Sequence, residues 1–187
     1  MTTKTLNISE EQLVDYSKAH NEPSWMTELR KKALKLTETL EMPKPDKTKL
    51  RKWDFDTFKQ HHTTGDSYHQ LTDLPKSVKE IIDVENSENL IIQHNNDLAY
   101  TQVSDQAKND GVIIEGLSEA LVNHSDLVQK YFMTKAVNVD EHRLTALHTA
   151  LVNGGIFVYV PKNTVVEHPI QYVVLHDDEQ ASFYNHA

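Results

Sequence analysis

The chain has 187 residues, 38% hydrophobic and 25% charged, with a formal net charge of −9 and no cysteine. That length suits one medium domain or two small ones, and the acidic balance argues against general nucleic-acid binding, where phosphate neutralisation supplies most of the affinity. The lack of cysteine excludes disulfides, thiolate metal sites and thiol catalysis from this stretch; no apolar run approaches the ~20 residues of a membrane helix, and the N-terminal MTTKTLNISEEQ has no hydrophobic signal core, so a cytoplasmic protein is expected.

Ile8-Ser9-Glu10-Glu11-Gln12-Leu13 starts the first helix. Ser9 and Gln12 have the spacing of a capping box, and Ile8 and Leu13 that of a hydrophobic staple. The helix should run to about His20, where Asn21-Glu22-Pro23 breaks it. Ser24 is the next expected N-cap. Met26, Leu29, Ala33, Leu36 and Leu40 then recur by threes and fours, the pattern of one buried helix face, with Glu28 placed to pair with Lys32. Two helices joined by a short turn predict an antiparallel hairpin whose apolar face needs a partner surface.

Lys47-Thr48-Lys49-Leu50-Arg51-Lys52-Trp53 is the one basic run with an aromatic beside it. Lysines on phosphate with Trp53 stacking on bases would suit single-stranded nucleic acid. Asp46, Asp54 and Asp56 cancel much of that field, so a solvated linker pinned to a core by Trp53, Phe55 and Phe58 is preferred. Residues 60–79 read as loop and short helix. Leu90-Ile91-Ile92-Gln93-His94 and Leu98-Ala99-Tyr100-Thr101-Gln102-Val103 flank Asn95-Asn96-Asp97, a hairpin signal with a three-residue turn. Val112-Ile113-Ile114-Glu115 is a further strand, residues 116–123 and 125–133 are two short helices, and Asp140 is placed to cap the next.

Residues 145–175 organise the rest. Leu144, Leu147 and Leu151 share one helix face. Asn153-Gly154-Gly155 reads as a helix stop, because Gly and Asn enter the left-handed region at low cost. Five apolar residues, Ile156 to Val160, lack alternation and predict a strand covered on both faces. After a turn at Pro161-Lys162-Asn163-Thr164, a second strand starts at Val165-Val166, is interrupted by Pro169 and resumes over residues 170–175. Short strands at roughly ten-residue intervals suggest stacked rungs or a sandwich.

Ala-Leu-x-x-Ala-Leu at residues 146–151, Gly-Gly-x-Phe-Val-Tyr-Val-Pro-Lys at 154–162 and Val-Glu-x-Pro-Ile-Gln at 166–171 resemble the SufB/SufD family, scaffold subunits of the Suf iron–sulfur cluster assembly machinery. Residues 24–55 resemble its SufD branch more than its SufB branch. The resemblance implies an α+β chain: an N-terminal helical region (residues 1–52), a mixed α/β region (53–140), then a helix leading into the first rungs of a right-handed parallel β-helix (141–187). It implies a non-enzymatic subunit working with SufB-like and SufC-like partners, the latter an ATPase, through regions mostly beyond this chain. No cofactor is expected to be bound by this region, the cluster being assembled by the larger complex. Family members are longer, so the chain reads as an N-terminal portion whose open sheet edge should self-associate or end in a disordered segment.

The residues themselves offer no catalytic, cofactor-binding or metal-binding set. His61, His62 and His69 lie close in sequence without a carboxylate or cysteine pattern. His142 and His148 are six apart, not at the i, i+4 spacing of a helical zinc pair, and His148 reads as a packed, hydrogen-bonded side chain. His168, His176 and His186 could form a column if rungs stack. Asp177-Asp178-Glu179 could serve a carbohydrate-active β-helix enzyme but reads better as a solvated turn; Glu115, Glu167 and Asp140 are isolated. Asn153-Gly154-Gly155 lies after a helix and before a strand, the reverse of a phosphate-binding loop. Ser9, Ser125 and Ser182 lack a nucleophile-elbow setting. Beside the scaffold stand two alternatives: that sugar enzyme, and an interaction module using the face from Met26 to Leu40.

Overall fold

The computed structural model describes residues 6–57 and 59–187. Its α-helices are α1 (Glu10–Ala19), α2 (Ser24–Thr39), α3 (Lys76–Lys79), α4 (Asp105–Asn109), α5 (Leu117–Asn123), α6 (Ser125–Tyr131) and α7 (Arg143–Leu151). Its strands are β1 (Asn89–His94), β2 (Asp97–Gln102), β3 (Ile113–Gly116), β4 (Gly154–Tyr159), β5 (Ile170–Leu175) and β6 (Asn185–His186). The fold is α+β. The chain divides into a helical unit, Met1–Lys59 with Leu121–Val152, and a sheet unit, Gln60–Ala120 with Asn153–Ala187.

In the helical unit, α1 begins as its sequence dictates. The Gln12 amide donates to Ser9 Oγ at 3.2 Å and the Ser9 amide to Gln12 Oε1 at 2.8 Å, and Ile8 and Leu13 are buried. Helix α2 runs antiparallel to it: Glu10, at the start of α1, meets Lys31 and Lys35 of α2 at 3.5 and 3.3 Å. Its N-cap is Pro23 rather than Ser24; proline has no amide hydrogen to satisfy and its fixed φ suits the helix entrance. Glu28 pairs with Lys31 at 2.9 Å, one position before the expected Lys32.

The buried face of α2 is Met26, Arg30, Ala33 and Thr37. It is turned by about one residue from the apolar stripe, leaving Leu29 and Leu36 half-buried. The surface it needs is supplied by α7, which is buried almost all round. Two arginines lock the pair in opposite senses. Arg30 donates through Nε and Nη2 to both carboxylate oxygens of Glu22, at 2.8 and 2.6 Å, and through Nη1 to the Ala150 carbonyl near the end of α7 at 2.9 Å. Glu22 also accepts from Ser17 Oγ at 2.7 Å, and the guanidinium lies over the Tyr16 ring. Arg143, the first residue of α7, donates to the Thr37 carbonyl near the end of α2 at 2.8 Å and pairs with Asp56. Each helix thus has a C-terminal carbonyl, unsatisfied within the helix, capped by an arginine of the other. Helix α7 is N-capped by His142, whose Nδ1 accepts from the Thr145 amide at 3.1 Å, not by Asp140. Trp53 does not pin the linker: it is 63% exposed and stacks on its chain neighbour Phe55. Phe58 lies outside the described residues.

In the sheet unit, one sheet has the order β2-β1-β5 and the other β3-β4-β6. Strands β1 and β2 form the hairpin, closed by two residues, Asn95-Asn96, rather than three. Asn95 takes φ +52°, which Asn tolerates better than most residues. Strand β1 is buried along its whole length. Leu90 and Ile92 pack with Leu74, Val78 and Ala99, while Ile91 faces the other way onto Ala107, Val112, Ile114 and Ile156. Burial on both faces explains its unbroken apolar run.

Strand β4 differs from its expectation. It is buried at Gly154, Gly155 and Ile156 but opens to solvent further on, with Val158 and Val160 exposed. Val165-Val166 forms no strand, Val165 being 74% exposed, and the second strand is β5 alone. The glycine pair is not a helix stop. Helix α7 already ends at Leu151, and both glycines lie within β4. Their role is close approach: a Cβ on Gly155 would lie 1.9 Å from the His186 carbonyl oxygen, and one on Gly154 would lie 2.4 Å from Gln93 Nε2. Gly155 also has φ +134°, a conformation essentially reserved for glycine.

Candidate functional site: an amide-lined parallel layer

Residues 170–186 lie along earlier parts of the sheet unit as one parallel layer. Strand β5 pairs with β1 over six residues, from Asn89↔Ile170 to His94↔Leu175. Gln60 bridges Ala181 in parallel. Strand β6 pairs with β4 at Gly154↔Asn185 and Gly155↔His186. Among the described residues both β5 and β6 are edge strands of their sheets, so this layer offers an open edge on its far side.

Buried amides hold the layer in register. Asn153 donates to the carbonyls of Ser182, at 2.8 Å, and of His61, and accepts from the Tyr184 amide at 2.9 Å. Asn96 donates to Ser182 O at 3.2 Å and accepts from the Thr63 amide at 2.8 Å. Asn89 donates to His168 O and accepts from the Ser104 amide. Gln93 Oε1 accepts from the Gly155 amide at 3.0 Å and from the Tyr172 hydroxyl at 2.5 Å, and Asn185 Nδ2 donates to that hydroxyl. Primary amides suit this because each carries donors and an acceptor and can satisfy main-chain groups of two segments at once. Burial pushes the Tyr172 hydroxyl up to about 12, against a smaller lowering by its Asn185 hydrogen bond.

His94 ties three segments together at the end of β1. The Asp66 amide donates to Nδ1 at 2.9 Å, which assigns the proton to Nε2, and Nε2 donates to Asp177 Oδ1 at 2.9 Å. Asn95 Nδ2 adds a second donor to Asp177. The hydrogen bond from His94 leads in holding the Asp177 carboxyl below the ordinary carboxylate value. Elsewhere in the unit the Glu119 carboxyl is pushed up, first by burial and then by Glu115 and Asp97. Burial lowers His186.

The suspects read from sequence are scattered. His62 pairs with Asp97 at 3.2 Å, His168 meets Glu88 at 3.6 Å, and the His176 ring lies against Phe183. His186 pairs with Gly155 in β6. His142 caps α7, His148 is half-buried on it, and His69 is exposed. Ser9 is a helix cap, Ser125 accepts from Trp25 Nε1 at 2.8 Å, and the Ser182 carbonyl serves the layer. Among the described residues no group of three or more His, Asp or Glu is arranged to hold a metal ion, and no helix is long and apolar enough to cross a membrane. His94 has no signal as a site in sequence because it ends an apolar strand and its partners at Asp66 and Asp177 lie 28 and 83 residues away; the adjacent Asn95-Asn96-Asp97, rich in side-chain acceptors, is the available signal.

Fold and site define an α+β protein built on a parallel strand layer whose internal chemistry is main-chain and amide hydrogen bonding. The chain belongs to the SufBD family: residues 9–172 match the family's "SufBD protein N-terminal region". It is 46% identical over 182 residues to the iron-sulfur cluster assembly protein SufD of Bacillus subtilis, covering 97% of this chain and 42% of the relative. It is 30% identical over 179 residues to an iron-sulfur cluster assembly SufBD family protein of Pyrococcus horikoshii, covering 90% and 40%, and 26% identical over 186 residues to one of Staphylococcus epidermidis, covering 94% and 40%. The chain therefore spans about two fifths of the length of these relatives. The resemblance to the N-terminal part of SufD is borne out.

Proposed function

We propose that the protein containing this chain is a scaffold subunit of a cytoplasmic iron–sulfur cluster assembly complex. It acts without turnover of its own, alongside a SufB-like subunit and a SufC-like ATPase. The observation that carries this reading is the 46% identity to SufD across nearly the whole chain. The geometry agrees with it: the polar groups inside the sheet unit are spent on holding main chain in register. The cluster is cargo of the larger complex; this region, with no cysteine, holds none. The open edge of β5 and β6 is where the strands of a right-handed parallel β-helix continue, because an unpaired row of main-chain donors and acceptors seeks another strand. Among the described residues no row of acids faces one side of the layer, as a carbohydrate-active β-helix would need: Asp177 is hydrogen-bonded to His94 and Asn95, and Asp178 caps its own turn.

The test is genetic. Deleting the gene in its own host should lower the activity of resident iron–sulfur enzymes in extracts while their polypeptides remain, and the wild-type gene should restore it. Unchanged cluster occupancy in the deletion strain, with no second assembly system operating, would overturn the proposal.

A further inference from the structure

Charge is unevenly divided between the two units. The helical unit carries 15 Lys and Arg against 13 Asp and Glu, whereas the sheet unit carries four against 15. Within the helical unit the cations concentrate in residues 44–52, KPDKTKLRK, five against one acid. Lys44 is paired with Glu41 at 2.7 Å. Lys47, Lys49 and Lys52 are exposed and form no ion pair among the described residues. Directly after them stands Trp53, one face stacked on Phe55 and 63% of its surface in solvent. Three free ammonium groups beside an open indole combine long-range attraction with an anchor of the kind that dominates protein interfaces.

We propose that residues 47–55 are a docking segment that binds the acidic sheet unit of a second copy of this chain. The sheet unit supplies the opposite charge: it has an excess of 11 acids, with Asp83, Glu85 and Asp110 exposed. Two copies each of net charge −9 repel at long range. At about 0.1 M salt the screening length is ~10 Å, so the local patches decide the contact. Single-stranded nucleic acid is the poorer occupant, because the exposed Asp54 directly follows Trp53 and would repel phosphates next to the stacking ring. The route differs from edge pairing by β5, which is made of main-chain hydrogen bonds and depends little on salt.

The test is sedimentation velocity of the 187-residue chain over a range of concentrations at about 0.1 and 1 M salt, beside the variants Lys47→Glu/Lys49→Glu/Lys52→Glu and Trp53→Ala. All four substituted side chains are exposed, and circular dichroism checks that the variants fold. The expected result is a concentration-dependent dimer at the lower salt. Its dissociation constant rises about tenfold or more at the higher salt and in both variants. A monomer under every condition overturns the proposal. So does an association unchanged by salt and by the lysine substitutions, which would be edge pairing. So does quenching of Trp53 by a single-stranded oligonucleotide, in a Trp25→Phe background, without self-association.

Discussion

Replacing Arg30 by Met removes the central tie of the helical unit. The Arg30 side chain is 1% exposed and that of Glu22 5%, so the guanidinium and both carboxylate oxygens are withdrawn from water together. Met keeps most of the aliphatic volume. What is lost is the charge partner of a buried carboxylate, which costs about 3–5 kcal/mol, and the donor to the Ala150 carbonyl, an unsatisfied acceptor worth about 1–3 kcal/mol. Relaxation around Ser17, which can still donate to Glu22, offsets part of this, and a loss of about 4 kcal/mol is expected. The assay is urea unfolding followed by Trp25 fluorescence in a Trp53→Phe background. Trp25 lies on α2 and is hydrogen-bonded to Ser125, so its signal reports the helical unit. The double variant Arg30→Met/Glu22→Gln should recover a large part of the loss, because no charge is then left buried. A loss below about 1 kcal/mol, as for an exposed pair, with no recovery in the double variant, would refute the reasoning.

Further outcomes follow from the same geometry. Gly155→Ala should cost about 3 kcal/mol or more, from its positive φ and the His186 carbonyl; Gly111→Ala, with φ +73° but no atom nearer than 3.6 Å, should cost only about 1–3 kcal/mol, and urea midpoints compare the two. Tyr172→Phe removes one of the two donors to Gln93 Oε1 and the hydroxyl that accepts from Asn185 Nδ2 and should cost about 1–3 kcal/mol, read by hydrogen exchange of the β5 amides. Glu119 has a folded-state pKa above its ordinary 4.5, so the stability tied to its protonated form is full below that value and lost as pH rises. Glu119→Gln should therefore raise the thermal midpoint at pH 7 and leave it nearly unchanged at pH 4. His186 is shifted the other way, below its ordinary 6.5; its contribution is full above that value and lost as pH falls, so His186→Gln should flatten the stability profile just below pH 6.5.

What was legible in the sequence was local. The capping box at Ser9 and Gln12, the β1–β2 hairpin and the short helices after Ile114 follow from neighbours in the chain, and the structure places them within a residue or two. The α2 face was misplaced because a hydrophobic stripe assumes that charge stays outside. Arg30 is buried by Glu22 and the Ala150 carbonyl, and the latter lies 120 residues away. The glycines at 154 and 155 read in sequence as the end of the helix before them, since a Gly pair after a helix is a common stop signal. Their actual reason, the His186 main chain, exists only once β6 has paired. The amides of Asn89, Asn96 and Asn153 are ordinary polar residues in sequence and become clamps only through contacts that residues 168–184 supply. The functional proposal rests on the family resemblance, because the buried amides act on main chain and leave no sequence motif.

The central claim is membership of a cluster-assembly complex, and one measurement addresses it directly. The complete gene product containing these residues would be co-expressed without oxygen with SufB-like and SufC-like subunits from the same host, and the mass of the purified species determined by size exclusion with light scattering. The account predicts a stable assembly containing all three polypeptides. A product that runs alone while the other two assemble without it would contradict the account and leave the family likeness as one of fold.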